Sequence, residues 1–195
     1  MSFFYSHNVN VLYELLEFFL QSFVLNMNII MYVLFFVIAL FRMGVLFISK
    51  RHEKKLLETG AMEYGKKVSK QLVILHTLFY FCSFFEGIIT SVKIDIISYI
   101  GLFLLIVSFI VLIVVVKSLG EYWTVKLIFA GNHVLNTSWV FKYIKHPNYF
   151  LNIVPELIGI TLLFHAWLTI MVFIVPYSIC LYLRIKEENE LLASL

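Results

Sequence analysis

Residues 94–116 read IDIISYIGLFLLIVSFIVLIVVV, an apolar run in which Asp95 is the only charged side chain. A helix rises about 1.5 Å per residue, so about 20 predominantly apolar residues are needed to cross the hydrocarbon core of a bilayer. This run meets that requirement, and comparable apolar runs occur at 23–48, 71–92, 149–165 and 166–184. The sequence therefore predicts an all-α, polytopic membrane protein with about five transmembrane helices.

The overall composition supports a membrane protein with a single domain. Of the 195 residues, 62% are hydrophobic and 14% are charged, and the mean hydropathy is +0.94. A soluble domain of this size could not hide so many apolar side chains, so lipid is the expected solvent. We expect one domain over 23–195. Residues 1–22 lack the basic start and small-residue cleavage site of a secretory signal, which favours an interfacial helix or extension.

The distribution of basic residues predicts the orientation. The segments 49–70, 117–148 and 185–195 hold most of them, namely Lys50, Arg51, Lys54, Lys55, Lys66, Lys67, Lys70, Lys117, Lys126, Lys142, Lys145 and Lys186. By the positive-inside rule these segments face the cytoplasm, in the inner membrane if the source is bacterial. The basic residues alternate with apolar runs, so nucleic acid is not the expected partner. The very short connection near 165 predicts that the last two helices form a tight hairpin.

Other features exclude some kinds of site. Cys82 and Cys180 lie far apart inside apolar runs, without CxxC or Cys/His spacing, so neither a disulfide framework nor a metal site is indicated. The chain also lacks the alternating α/β pattern and the GxGxxG motif of a Rossmann domain.

Polar side chains within the apolar runs are costly in lipid and mark candidate sites; they are His76, Glu86, Asn152, Glu156 and His165. At helical spacing, Tyr149, Asn152 and Glu156 share one stripe of the fourth helix. This stripe predicts either hydrogen bonds that set helix packing or the wall of a polar site. For Glu156 the sequence favours a site.

The start of the fourth helix is a second candidate. His146, Pro147, Asn148 and Tyr149 stand where proline is tolerated at a helix start and where backbone N–H groups lack partners. Such an end attracts anions through its dipole and free donors. Alternatively, these residues simply mark the membrane interface.

The end of the fifth helix carries acidic residues that the helix dipole disfavours. Tyr177, Arg184 and Glu188 share one face there, either as a solvated Arg184–Glu188 pair or as part of a ligand site. Because a tight hairpin would bring this end beside the start of the fourth helix, the two groups together could hold a zwitterionic nucleoside.

These residues resemble the isoprenylcysteine carboxyl methyltransferase family of integral membrane enzymes. Its pattern pairs His146-Pro147-Asn148-Tyr149 and Glu156 with Arg184 and Glu187-Glu188, and the similarity extends to the stretches 49–65 and 119–125. The departures are Lys145, where the family usually has arginine, and Leu151, where eukaryotic members usually have glycine.

The resemblance implies the activity and the roles of the residues. S-adenosylmethionine would bind at the cytosolic ends of the last two helices, and a lipophilic acceptor would enter from the bilayer. The implied cofactor contacts are His146, Pro147, Tyr149, Glu187 and Glu188. Glu156 would line the pocket and Arg184 would orient an acceptor carboxylate. The expected reaction is O-methylation of a carboxylate or phenolate, which needs alignment and exclusion of water more than a strong base.

Two other functions stay open at this point. The His-Pro-Asn-Tyr element also occurs in NADPH-dependent membrane sterol and steroid reductases, although the extra phosphate of NADPH calls for more cations than this C-terminal end offers. A non-enzymatic membrane scaffold would explain the hydropathy equally well, but it leaves the clustered carboxylates unexplained.

Overall fold

The computed structural model describes residues 2–129 and 146–193, with side chains over 29–129 and 146–193 and the exposure of Glu14 and Glu17. The elements in chain order are α1 (Ser2–Glu58), β1 (Met62–Tyr64), α2 (Lys66–Ile89), α3 (Ile96–Leu119), β2 (Leu127–Phe129), α4 (Asn148–Phe164) and α5 (Trp167–Ala193). A single 3-10 turn, Gly120–Tyr122, follows α3. Helices dominate, as the apolar runs predict.

Within the described residues, four helices are long and apolar enough to cross a membrane: Ile29–Glu58, Lys66–Ile89, Ile96–Tyr122 and Trp167–Ala193. The remaining helix, α4, is also apolar but is shorter than these four. The prediction of an all-α polytopic membrane fold is confirmed, and the chain is an integral membrane protein. The predicted boundaries were too narrow at the first and last spans, because both helices continue beyond the apolar run into charged turns.

Two compact units divide the chain, Met1–Ala39 and Leu40–Leu195. The first is the N-terminal part of α1, whose apolar side chains Val33, Phe36 and Val37 are exposed as expected for contact with lipid. Glu14 and Glu17 are exposed too. The other side chains of 1–22 lie outside the described residues, so the interfacial position of that segment stays a prediction. All remaining elements belong to the second unit.

Close packing within the second unit depends on small residues between α3 and α4. A Cβ atom placed on Gly101 would lie 2.6 Å from the Gly159 carbonyl oxygen and 2.5 Å from the Leu163 nitrogen, so a larger residue would push the helices apart. Such small-residue contacts are typical of membrane helices, where lipid offers no hydrophobic drive to associate. Close backbone packing also joins α2 to α5.

Side chains of α1 reach α3 in the same unit. Val45 is buried together with Leu112, Val115 and Trp123, and the Phe41 ring stacks on Phe109 with 4.4 Å between ring centroids. These contacts hold the inner half of α1 against the bundle.

We call the end of the bundle that carries 59–65 and 123–129 the inner end. There β1 and β2 pair antiparallel, with Glu63 opposite Ile128, so the segments that follow α1 and α3 lie side by side. The Lys126 ammonium forms ion pairs with Glu53 and Glu63, and the hydrogen bond to Glu53 raises the pKa of Lys126 above its usual value. This strand pair was not predicted from the sequence.

The outer end is closed by carboxylates that cap helices. Glu86 accepts hydrogen bonds from the backbone N–H groups of Leu168 and Thr169, each at 2.8 Å, and from the Thr169 hydroxyl at 2.7 Å. Asp95 accepts from the Ser98 N–H at 3.0 Å and lies 3.1 Å from His165 Nε2. The backbone N–H of Ser98, and then His165, lower the pKa of Asp95.

Candidate active site

A polar group at the inner end, which we call the inner cluster, joins the start of α4 to the end of α5. Its members are His146, Tyr149, Arg184, Glu188 and Asn189. The Tyr149 hydroxyl donates to Glu188 Oε2 at 2.5 Å, and His146 Nδ1 lies 3.1 Å from Glu188 Oε1. His146 Nε2 lies 3.1 Å from the side-chain oxygen of Asn189. With oxygen atoms at both imidazole nitrogens, a doubly protonated ring would donate to both.

Local structure explains how α4 presents these residues. Pro147 precedes the helix and is fully buried, and the first six residues of α4, Asn148–Ile153, form a π-helix. This wider turn leaves both Tyr149 and Asn152 buried. Single π-helical turns occur frequently at functional sites.

Arg184 is buried and connects its own helix, α5, to three other parts of the chain. Its Nε donates to the Tyr149 hydroxyl at 3.2 Å, its Nη2 donates to the Val125 carbonyl at 3.0 Å, and its Nη1 donates to the Ser69 hydroxyl. The guanidinium therefore ties α5 to α4, to α2 and to the segment between α3 and β2. A guanidinium has five N–H donors, and these bonds use three of them.

Glu187 lies next to the inner cluster on α5, where it meets Gly65. A Cβ atom on Gly65 would overlap the Glu187 carboxylate, and the φ of Gly65 is +55°, a left-handed conformation that glycine adopts without strain. Within the described part of the chain, Glu187 Oε2 is buried without a hydrogen-bond partner. A buried acceptor without a partner is costly and marks a place where a ligand donor would fit.

A second polar group, the intramembrane cluster, lies deeper in the bundle. Its members are Arg42, His76, Tyr80, Glu156 and Tyr177. The fully buried Glu156 carboxylate is paired with the Arg42 guanidinium and accepts from the Tyr80 hydroxyl. His76 Nδ1 lies 2.9 Å from the Tyr177 hydroxyl, and its Nε2 is 3.8 Å from Glu156 Oε1.

The residues proposed from the sequence thus fall into two groups. His146, Tyr149, Arg184 and Glu188 come together, and Pro147 lies beside them; the hairpin places the start of α4 against the end of α5. Glu156 instead faces Arg42, about two helical turns deeper. The roles of all these residues in binding or catalysis stay predictions.

Several members of these groups were not identified from the sequence. Ser69 and the Val125 carbonyl hold Arg184, and neither carries a sequence signal of its own. Arg42 did have a sequence signal, because a basic residue inside an apolar run needs a polar partner. That partner, Glu156, could be recognised only once the neighbouring helices were known.

Comparisons with known proteins identify the relatives. Residues 100–194 match the model of the isoprenylcysteine carboxyl methyltransferase (ICMT) family. An uncharacterized protein of Haemophilus influenzae is 43% identical over 148 residues, which cover 76% of this chain and 86% of that protein. The uncharacterized protein YpbQ of Bacillus subtilis is 29% identical over 146 residues, which cover 74% and 86% respectively. No solved structure matches the chain.

The helical membrane fold and the family match together define the class. The match supports a membrane methyltransferase, in agreement with the class implied by the sequence motifs. The chain belongs to the isoprenylcysteine carboxyl methyltransferase family.

Proposed function

We propose that this protein transfers a methyl group from S-adenosylmethionine to an oxygen atom of a lipophilic acceptor, at the cytoplasmic side of the membrane. The observation that carries the proposal is Glu187 Oε2, which is buried beside the inner cluster and has no hydrogen-bond partner among the described residues. Together with family membership, it supports a ligand that brings hydrogen-bond donors to the junction of α2, α4 and α5.

The donor and acceptor groups of the inner end fit this cofactor. S-adenosylmethionine carries donors in its ammonium, its ribose hydroxyls and its adenine amino group, and these need acceptors. Glu187 Oε2 and Asn152 Oδ1 are both buried acceptors without a hydrogen-bond partner in the described part of the chain. We assign Glu187 to cofactor binding on this basis. His146, Pro147, Tyr149 and Glu188 would form the surrounding wall.

Bound S-adenosylmethionine would supply an electrophilic methyl group on its sulfonium sulfur. The chain would contribute binding, alignment and exclusion of water, which lower the barrier without a strong base when the acceptor is an ionised carboxylate or phenolate. Within the described residues, Arg184 keeps two N–H donors beyond its three hydrogen bonds, and these could orient an acceptor oxygen. Glu156 would line the deeper wall.

The proposed orientation is supported by exposed basic side chains at the inner end. Lys50, Arg51, Lys66, Lys67 and Lys117 are all exposed there, which supports a cytoplasmic inner end by the positive-inside rule. In a bacterium this would be the inner membrane. The partners of the protein would be membrane lipids and an acceptor delivered from the bilayer, rather than nucleic acid.

Calorimetric titration of the detergent-solubilised protein with S-adenosylhomocysteine and, separately, with NADPH tests this function. We expect saturable binding of S-adenosylhomocysteine and none of NADPH. Binding of NADPH alone would overturn the proposal in favour of a reductase. Binding of neither compound by protein that unfolds cooperatively on heating would overturn it in favour of a scaffold.

A further inference from the structure

We propose that Arg42 and His76 form a binding site inside the membrane for the head group of a single-chain amphiphile, recognised through a carboxylate or phenolate oxygen. This inference rests on the proposed function, because the amphiphile would be the methyl acceptor. It assigns acceptor recognition to the first and second helices, away from the inner cluster.

The hydrogen bonds of Arg42 leave one side of its guanidinium available. Glu156 and Tyr80 occupy the edge formed by Nε and Nη2. Within the described residues, Nη1 makes no hydrogen bond. The planar guanidinium is held in place by Phe109, whose ring centroid lies 5.7 Å from the Arg42 carbon Cζ. One edge is therefore fixed by the protein, and the other carries donors that no described residue uses.

The site is incompletely covered at a depth where neighbouring side chains meet lipid. The side chain of Arg42 is 18% exposed, and the side chain of His76 is 21% exposed. Leu40 and Met43, on either side of Arg42, are each 65% exposed. Arg42 precedes Lys50 by eight residues, so it lies about 12 Å deeper than the first basic residue of the inner end. Partly exposed polar groups at this depth are costly unless a polar ligand or water reaches them.

The arrangement of the helices permits lateral access. Close backbone packing joins α3 to α4 and α2 to α5, and α1 takes part in neither pair. Arg42 reaches from α1 to Tyr80 on α2 and Glu156 on α4 with its long side chain. An alkyl chain in the bilayer could lie between α2 and residues 40–58 of α1 while its head group meets the open guanidinium edge.

The chemistry of the site selects an oxygen-bearing head group. Free guanidinium N–H donors bind carboxylate and phenolate oxygens strongly in a poorly hydrated setting, and they offer nothing to an ammonium group. His76 is hydrogen-bonded to Tyr177, which lies seven residues before Arg184 on α5, a distance of about 10 Å. A head group bound at Arg42 would therefore lie about 10 Å deeper than Arg184.

Photo-crosslinking tests the site without requiring catalytic activity. The full chain in phosphatidylcholine vesicles is irradiated with a diazirine-bearing palmitic acid, and the labelled peptides are quantified by mass spectrometry. We expect labelling of 29–58 and 66–89 that excess palmitate or 4-dodecylphenol suppresses and that dodecylammonium does not. The matched diazirine-bearing alcohol should label these peptides about tenfold less. Equal labelling by acid and alcohol, or equal suppression by dodecylammonium, would overturn the inference.

Variants identify the side chain responsible. Arg42→Lys keeps a cation for Glu156 but removes the open guanidinium edge, and we expect about a tenfold loss of labelling. Lys50→Gln, an exposed basic residue on the same helix, should change labelling less than about twofold. If Arg42→Lys misfolds, the double variant Arg42→Gln, Glu156→Gln removes both charges together and should also lose labelling.

S-adenosylhomocysteine affinity, measured on the same preparations, separates the two proposals. If the parent protein binds S-adenosylhomocysteine but labelling does not depend on Arg42, the acceptor site is overturned and the methyltransferase is not. Absent affinity in the parent protein overturns the methyltransferase, whereas Arg42-dependent labelling would still support the amphiphile site.

Discussion

The two ends of α5 are both bounded by carboxylates, yet those carboxylates are satisfied to different degrees. At the outer end, both oxygens of Glu86 accept hydrogen bonds from the first turn of the helix. At the inner end, Glu188 is held by His146 and Tyr149, whereas the neighbouring Glu187 keeps a buried oxygen without a partner in the described residues. A carboxylate whose oxygens accept hydrogen bonds contributes to stability. A buried carboxylate oxygen without a partner instead marks a place where a ligand donor would fit.

The variant Glu187→Ala gives the largest expected effect and tests whether Glu187 binds a ligand. We expect S-adenosylhomocysteine affinity to fall about 100-fold, because a charged acceptor for ligand donors is removed. Thermal unfolding should hardly change, since Glu187 Oε2 has no hydrogen-bond partner in the part of the chain that the structure describes. Calorimetry and a melting curve in detergent measure the two effects. Glu190→Ala, an exposed acid on the same helix, is the control and should leave affinity unchanged. Unaltered affinity in Glu187→Ala would remove Glu187 from the site.

Gly65→Ala tests whether the position of the Glu187 carboxylate matters. The added Cβ would overlap that carboxylate and displace it, so we expect about a tenfold loss of S-adenosylhomocysteine affinity with a modest loss of stability. Gly60→Ala is the matched control, because its φ of +85° is also left-handed but no atom lies within 4 Å of its Cβ position. Equal affinity losses in both variants would attribute the effect to backbone strain.

Glu86→Ala should have the opposite profile to Glu187→Ala. It leaves the Leu168 and Thr169 N–H groups without their acceptor, so we expect the free energy of unfolding to fall by about 1 kcal/mol. Affinity for S-adenosylhomocysteine should stay within about twofold, because the change lies at the other end of the helix. Denaturation in detergent and calorimetry check both values. A large loss of affinity with unchanged stability would contradict the structural role of Glu86.

The smallest expected effect concerns pH at the outer end. The folded protein holds the pKa of Asp95 below its ordinary value, so its ionised form stabilises the fold at neutral pH. That contribution disappears as the pH falls through the lowered pKa, below about 4. Asp95→Asn keeps a capping oxygen but removes the charge. We therefore expect its melting temperature to lie a few degrees below that of the parent at pH 7 and to converge with it once the pH has fallen below the lowered pKa. A constant difference across this range would exclude the charge as the cause.

The helices were predictable from the sequence because length and apolarity alone decide whether a segment can span lipid. The pairing of the His146 and Glu188 regions was predictable as well, since a very short connection brings the ends of two helices together. Contacts between elements that are distant in the sequence could not be predicted. Arg42 and Glu156 are 114 residues apart, and their contact depends on which helices are neighbours. The strands Met62–Tyr64 and Leu127–Phe129 have three residues each, too few for an alternating pattern to identify them.

The π-helical turn at Asn148–Ile153 has a consequence for how this chain can change in evolution. Such a turn holds one residue more than an α-helical turn of the same hydrogen-bonding span. Deleting one residue within it would restore regular α-geometry and redirect the side chains inside the turn, while the flanking segments would keep their relative orientation. Tyr149 and Asn152, both buried within the turn, would then not both keep their present positions. We therefore expect natural relatives to vary residue identity in this stretch far more readily than its length.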